Sequence, residues 1–266
     1  MTDTAENPGI SQNQLTSKQS LGVGTIISES LSIFFKRFIA VFLISLVPSA
    51  VSFLALSQVI GIHAMIGLAP PEFAETDLVL KYTLAMMGSF VAYYVTIALL
   101  IQLAYDAKLQ RPIRLGRYFL PTLTAILPVI VLGLVITFLF MLGLVLFIIP
   151  GLWIYAVFSV AIPAIVIERV GFRGLGRSAR LTKNYRWPIV GLMLLILLSS
   201  LGISFVAQFA ANIASQTAGL SAAFALFLTI TSIGTGLTSL PYALLYARLR
   251  EIKDGIGVDQ IASVFD

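Results

Sequence analysis

Residues 124–167 read TAILPVIVLGLVITFLFMLGLVLFI, then IPG, then LWIYAVFSVAIPAIVI, without one charged side chain. A helix on the surface of a soluble domain is apolar along one stripe only. This run is apolar all round and long enough to cross a bilayer twice, at about 20 residues per crossing. Ile149-Pro150-Gly151 interrupts it, and Pro followed by Gly suits the central positions of a type II turn. The stretch predicts two membrane helices, Thr124–Ile148 and Leu152–Ile167, folded as a tight hairpin.

Working outward, four more apolar segments have crossing length: Phe38–Ser57, Val79–Tyr105, Ile189–Ile213 and Ala222–Ala247. Of the 266 residues, 58% are hydrophobic and 11% charged, where a soluble domain carries about 25% charged residues. The expected fold is an all-α membrane protein, six transmembrane helices arranged as three hairpins. Residues 1–20 are polar and lack the apolar core of a signal peptide, which predicts a disordered cytoplasmic tail. Residues 21–250 form the membrane domain and 251–266 a cytoplasmic C-terminal tail. The absence of cysteine excludes disulfides, thiolate metal sites and a cysteine nucleophile.

Orientation follows from the basic residues. All but one of the seventeen Lys and Arg side chains fall on one side of the predicted spans. They flank the N-terminal end (Lys18, Lys36, Arg37), fill the second-to-third connection (Lys108, Arg111, Arg114, Arg117) and the fourth-to-fifth (Arg169, Arg173, Arg177, Arg180, Lys183, Arg186), and follow the last span (Arg248, Arg250, Lys253). The other side holds Lys81 beside Glu72, Glu75 and Asp77. The positive-inside rule puts both termini in the cytoplasm of a bacterial inner membrane. It also accounts for the net charge of +5, so nucleic acid is not expected as a partner.

A repeat offset by sixty residues runs through the basic side. Leu115-Gly116-Arg117 is followed by Thr122 and Pro128, and Leu175-Gly176-Arg177 by Thr182 and Pro188; a looser copy opens at Leu21-Gly22. Each copy sets a short cytoplasmic stretch before a hairpin. In the first, Val23, Ile26, Ile27, Leu31, Phe34 and Phe38 share a helical face opposite Thr25, Ser28, Glu29, Ser32 and Lys36. In the third, Arg173, Arg177 and Arg180 align while Phe172, Leu175 and Ala179 face away. These patterns predict amphipathic interfacial helices. Arg173, Arg177, Arg180, Lys183 and Arg186 would then contact anionic lipid on the cytoplasmic face. The alternative is ordinary loops whose charges only fix topology; for the second stretch, which contains Pro112 and Pro121, the two readings stand level, and for the first the helix is favoured.

The run from Phe147 to Glu168, the following GRSARLTKNYRW with Ser178, Leu181, Thr182 and Trp187, and the ending YARLREIKDG with Asp259, Ile261 and Ala262 resemble the glycerophosphoryl diester phosphodiesterase membrane-domain family and the related YciC-like inner-membrane proteins. The resemblance covers residues 21–266 and implies the membrane architecture without the catalytic phosphodiesterase barrel. Its stand-alone members have no settled biochemical role.

Few groups suit catalysis. The only histidine, His63, follows the first span with no second histidine near it, and G-x-S-x-G, H-E-x-x-H and P-loop patterns are missing. No cofactor, metal site or enzyme activity is expected. The spans carry mild polarity instead. Ser200, Ser204 and Gln208 recur every fourth residue, with Asn212 a turn on, and Thr231, Thr235, Thr238 and Tyr242 share a face of the last span. Such faces serve helix packing or line a polar groove for a lipid headgroup or small solute. Glu168 is the only acidic residue between Asp106 and Glu251. A carboxylate at a membrane edge needs a cation, and Arg177, Arg180 and Arg248 are the candidate partners. The expected function is that of a non-enzymatic, lipid-interacting or accessory membrane protein with an unknown protein partner; the alternatives are a transporter or channel for a small or lipid-like solute, then a membrane-embedded enzyme.

Overall fold

The computed structural model describes residues 20–70 and 76–255. The tail over residues 1–19, acidic Glu72 and Glu75, and the ending from 256 onward with Asp259 lie outside the described residues. The described chain is all-helical: α1 (Val23–Lys36), α2 (Phe38–Met65), α3 (Thr76–Lys108), α4 (Gly116–Leu146), α5 (Ile148–Phe158), α6 (Ala161–Glu168), α7 (Gly174–Leu181), α8 (Arg186–Thr217) and α9 (Leu220–Asp254). Six stretches are long and apolar enough to cross a membrane, namely Phe38–Met65, Val79–Lys108, Gly116–Val145, Ile149–Glu168, Arg186–Thr217 and Leu220–Asp254. Each contains one predicted span or nearly all of it. Most extend past it, because helix hydrogen bonding continues through residues too polar for hydrocarbon.

The most extensive packing joins α8 to α9, α2 to α3 and α4 to α5. The long α9 also receives α1, α2 and α3 and is the post around which the bundle is built. Its glycines make this possible: a Cβ at Gly236 would lie 2.6 Å from Val41 of α2, and one at Gly234 2.6 Å from Ile203 of α8. Small residues at such crossings let backbones approach where lipid offers no hydrophobic drive.

The α4–α5 turn differs from the expected type II turn. Only Phe147 is extended (φ −166, ψ 154), and Pro150 and Gly151 sit in the first turn of α5. Proline is tolerated there because the N–H it lacks would have no helical partner. Gly151 instead provides room, since a Cβ on Gly143 would stand 2.6 Å from the Gly151 Cα.

The fourth span is two helices broken at Ser159-Val160. Pro163 is the cause: it offers no N–H to the Ser159 carbonyl and its ring crowds that carbonyl. Pro48, Pro128 and Pro241 remain inside single helices. Helix α2 carries its interruption elsewhere, at Gly61 (φ 78, ψ 156), and places His63 beyond it in an exposed position.

The first two cytoplasmic stretches differ in structure. The second stretch forms no helix of its own: residues 111–114 are irregular after Gln110 turns left-handed (φ 55), and α4 takes over from Gly116. In α1 the buried face is Ile26, Ser30 and Phe34, packed on α9, while Leu31 and Phe35, with Phe38 at the start of α2, are exposed. Glu29, on the polar face, meets Lys108 of α3 at 2.6 Å. The sixty-residue repeat survives as a shared burial register: Tyr118 and Ser178, Thr122 and Thr182, Ala125 and Tyr185, Val129 and Ile189, and Leu132 and Leu192 are all buried.

Candidate functional site

A charged clasp stands at the basic end of the bundle. Helix α6 stops at Glu168 because Arg169 turns left-handed (φ 57), a conformation uncommon for residues other than glycine, and Gly171 (φ 56) turns the chain again. The chain doubles back so closely that a Cβ on Gly174 would lie 2.5 Å from Ile165. Helix α7 then presents Ser178 and Thr182 to α5, and both hydroxyls donate to the Val157 carbonyl, at 2.8 and 3.2 Å. Val157 lies in the last turn of α5, two residues before the break in the fourth span. Irregular backbone at membrane depth is tolerated where protein groups take up its freed polar atoms, and these two hydroxyls do so.

This fold-back delivers Arg177 to Glu168. Its Nε and Nη2 donate to the carboxylate at 2.9 and 2.8 Å, and Nη1 and Nη2 also donate to Asp254 of α9. Tyr246 donates to Glu168 at 2.6 Å, and Arg250 approaches the same oxygen at 3.3 Å while Nη1 donates to the Tyr105 hydroxyl at 3.1 Å. The Glu168 and Asp254 carboxylates raise the Arg177 pKa above its ordinary value, so it stays charged. Of the three candidate partners, Arg177 alone meets Glu168. Arg248 pairs with Glu251 at 2.7 Å and donates to the Ser20 carbonyl, and Arg180 is exposed. Arg177 is thereby also removed from the lipid-facing set; Arg173, Arg180 and Lys183 remain exposed and Arg186 is half-buried. Tyr246, Arg250 and Asp254 went unrecognised as partners, although their spacing of four residues puts them on one face of α9.

One to several turns along α9 from the clasp, the bundle opens into a slot. Helices α3 and α8 both pack on α9, and two adjoining cavities of about 260 and 140 Å³ are lined by all three, the larger also by α4, α5 and α6. Tyr93, Ser200, Thr238 and Ser239 line both cavities. Tyr94, Tyr155 and Tyr242 add phenols to the larger, and Ser204, Thr231 and Thr235 add hydroxyls to the smaller. Thr231, Thr235, Thr238 and Ser239 donate to carbonyls one turn back on α9, which leaves their lone pairs for the slot. Tyr155 and Tyr242 pair hydroxyl to hydroxyl at 2.9 Å. Among the described residues, no group bonds the hydroxyls of Tyr93, Ser200 or Ser204. The slot is therefore neutral, rich in hydroxyls and apolar between them.

Five of the seven predicted groove residues, Ser200, Ser204, Thr231, Thr235 and Thr238, meet here. Gln208 does not: its amide donates to the Ile66 carbonyl at the far end of α2, where Ile66, Ala211 and Ala223 form a small core. Asn212 is exposed and accepts from Gln216 of its own helix at 2.9 Å. The tyrosines from α3 and α5 gave no sequence signal, because an aromatic side chain within an apolar run reads as ordinary helix packing. No group of three or more His, Cys, Asp or Glu able to hold a metal occurs among the described residues. Compared with family models, characterised proteins and solved structures, the chain matches none.

Proposed function

We propose that this chain is a non-enzymatic inner-membrane protein that holds a lipid in the slot between α3 and α8. The observation that carries the reading is the slot's chemistry and position. Tyr93, Ser200 and Ser204 are exposed on the bundle flank, where lipid would stand. Their hydroxyls suit the ester carbonyls and glycerol oxygens of a lipid, while the apolar lining suits acyl chain. Hydroxyls that face hydrocarbon need partners, and a neutral amphiphile supplies them. Glu168 suits a structural role better than that of a general base, since two arginines and a tyrosine engage its carboxylate.

The reading includes three hairpins, α2/α3, α4 with α5–α6, and α8/α9, supported by their extensive pairing. It includes α1 and α7 as interfacial helices, supported by exposed Leu31 and Phe35 on the one and exposed Arg173 and Arg180 on and beside the other. It also includes membership of the phosphodiesterase membrane-domain and YciC-like group, supported by the motif residues alone. The reading puts both termini in the cytoplasm, supported by the charge bias. Reporter fusions after Gln110 and Ala179 are expected to read cytoplasmic, and those at Pro71 and Gly219 external; a cytoplasmic readout at Pro71 would overturn the arrangement.

Photo-crosslinking tests the slot. A phospholipid with a diazirine near its ester groups is expected to label α3 around Tyr93, α8 at residues 200–204 and α9 at residues 235–239. Labelling confined to outward residues such as Leu195 and Phe209 would sink the proposal. Solute flux in proteoliposomes, with no lipid adduct in the slot, would favour a transporter.

A further inference from the structure

At the α7–α8 connection the chain assembles a second pocket, of about 610 Å³, lined by Leu21, Trp153, Lys183, Asn184, Arg186 and Trp187 among others and, among the described residues, by no carboxylate. Asn184 turns left-handed (φ 73) and sets Lys183 and Arg186 around the N-terminus of the 32-residue α8, whose dipole adds positive potential. The Arg186 guanidinium lies over the Trp153 ring at 5.5 Å, and Trp153 meets Trp187 edge-on at 5.1 Å. The ammonium of Lys253 sits over the Tyr185 ring, itself in the lining, at 5.4 Å. Within this basic and aromatic wall, the Arg186 Nε is buried and has no hydrogen-bond partner among the described residues. A buried N–H without an acceptor is costly, and a guanidinium edge is the protein group best matched to a phosphate. Tryptophan rings prefer the headgroup level of a bilayer.

We infer that this pocket binds the phosphodiester of an anionic glycerophospholipid from the cytoplasmic leaflet. Lys183 and Arg186 hold the phosphate oxygens, and Trp153 and Trp187 pack on the glycerol and upper acyl chain. The inference rests on the proposed membrane orientation, but the pocket is separate from the neutral slot, which contains no tryptophan.

The test uses the fact that the chain has two tryptophans and both line this pocket. Full-length protein in nanodiscs of graded composition is titrated with brominated phosphatidylglycerol or brominated phosphatidylcholine, and tryptophan quenching is read. Parent protein is expected to reach half-quenching at about thirty-fold less phosphatidylglycerol than phosphatidylcholine, from about 1 kcal/mol for each of two cations. Lys183→Gln, an exposed change that leaves folding intact, lowers the preference about five-fold, and Lys183→Gln with Arg186→Gln abolishes it. Equal quenching of the parent by the two lipids would overturn the site. Relief of phosphatidylglycerol quenching by millimolar inorganic phosphate would assign it to a soluble phosphate and overturn the lipid. Cross-linking of the slot is unaffected by these variants, so either proposal can fail alone.

Discussion

Replacing Glu168 with Gln is expected to lower the stability of the detergent-solubilised protein by about 1–3 kcal/mol and to speed proteolysis of residues 170–187. The carboxylate is the shared acceptor of α6, α7 and α9, engaged by Arg177, Tyr246 and Arg250. Its side chain is 17% exposed and that of Arg177 18%, so water replaces few of the lost bonds. The neutral amide leaves two guanidinium groups facing Asp254 alone, which is why removing one partner of such a set costs more than the set contributes to stability. Arg177→Gln should destabilise by a similar amount, and the double variant by less than the sum, because the two residues act through one contact. Unchanged melting and cleavage in Glu168→Gln would mean that the clasp contributes nothing and that α7 is held by Ser178 and Thr182.

Gly143→Val is expected to be at least as damaging, at about 1–3 kcal/mol or more, because it strikes backbone instead of a movable side chain. Its Cβ would stand 2.6 Å from the Gly151 Cα and 3.0 Å from the Gly151 nitrogen. Neither atom can turn aside, so α4 and α5 must separate and pull Tyr155 away from Tyr242. Gly191→Ala on α8 is the control, since nothing lies within 4 Å of the added carbon; there the helix should gain slightly from alanine. A melting temperature lowered by both changes alike would show that the α4–α5 contact is not special.

The six membrane helices were legible because a bilayer demands long apolar runs and the chain supplies them with few interruptions. Glu168 was legible for an electrostatic reason: one carboxylate among many cations must find a partner. That its partners include Arg250 and Tyr246 was not, because the spacing on α9 defines a face without saying what the face meets. Pro163 announced a disturbed helix, whereas the capture of the Val157 carbonyl by Ser178 and Thr182 depends on a fold-back set by the left-handed Arg169. Pro150-Gly151 misled, since the same dipeptide that suits a turn also suits the first turn of a helix facing a close neighbour. The hydroxyl face of α9 was visible, but the slot needs Tyr93 and Tyr155 from other helices, and contacts between helices leave no periodicity to read.

Native mass spectrometry of the full-length protein released from nanodiscs tests the lipid-holding slot most directly. The parent should carry one tightly retained phospholipid beyond the loosely bound annulus. Ser200→Phe with Thr238→Leu, which fills the slot with apolar volume and removes two of its hydroxyls, should lose that adduct while keeping its melting temperature. A parent that sheds all lipid at the same collision energy as the filled variant, or a filled variant that retains the adduct, would contradict the account.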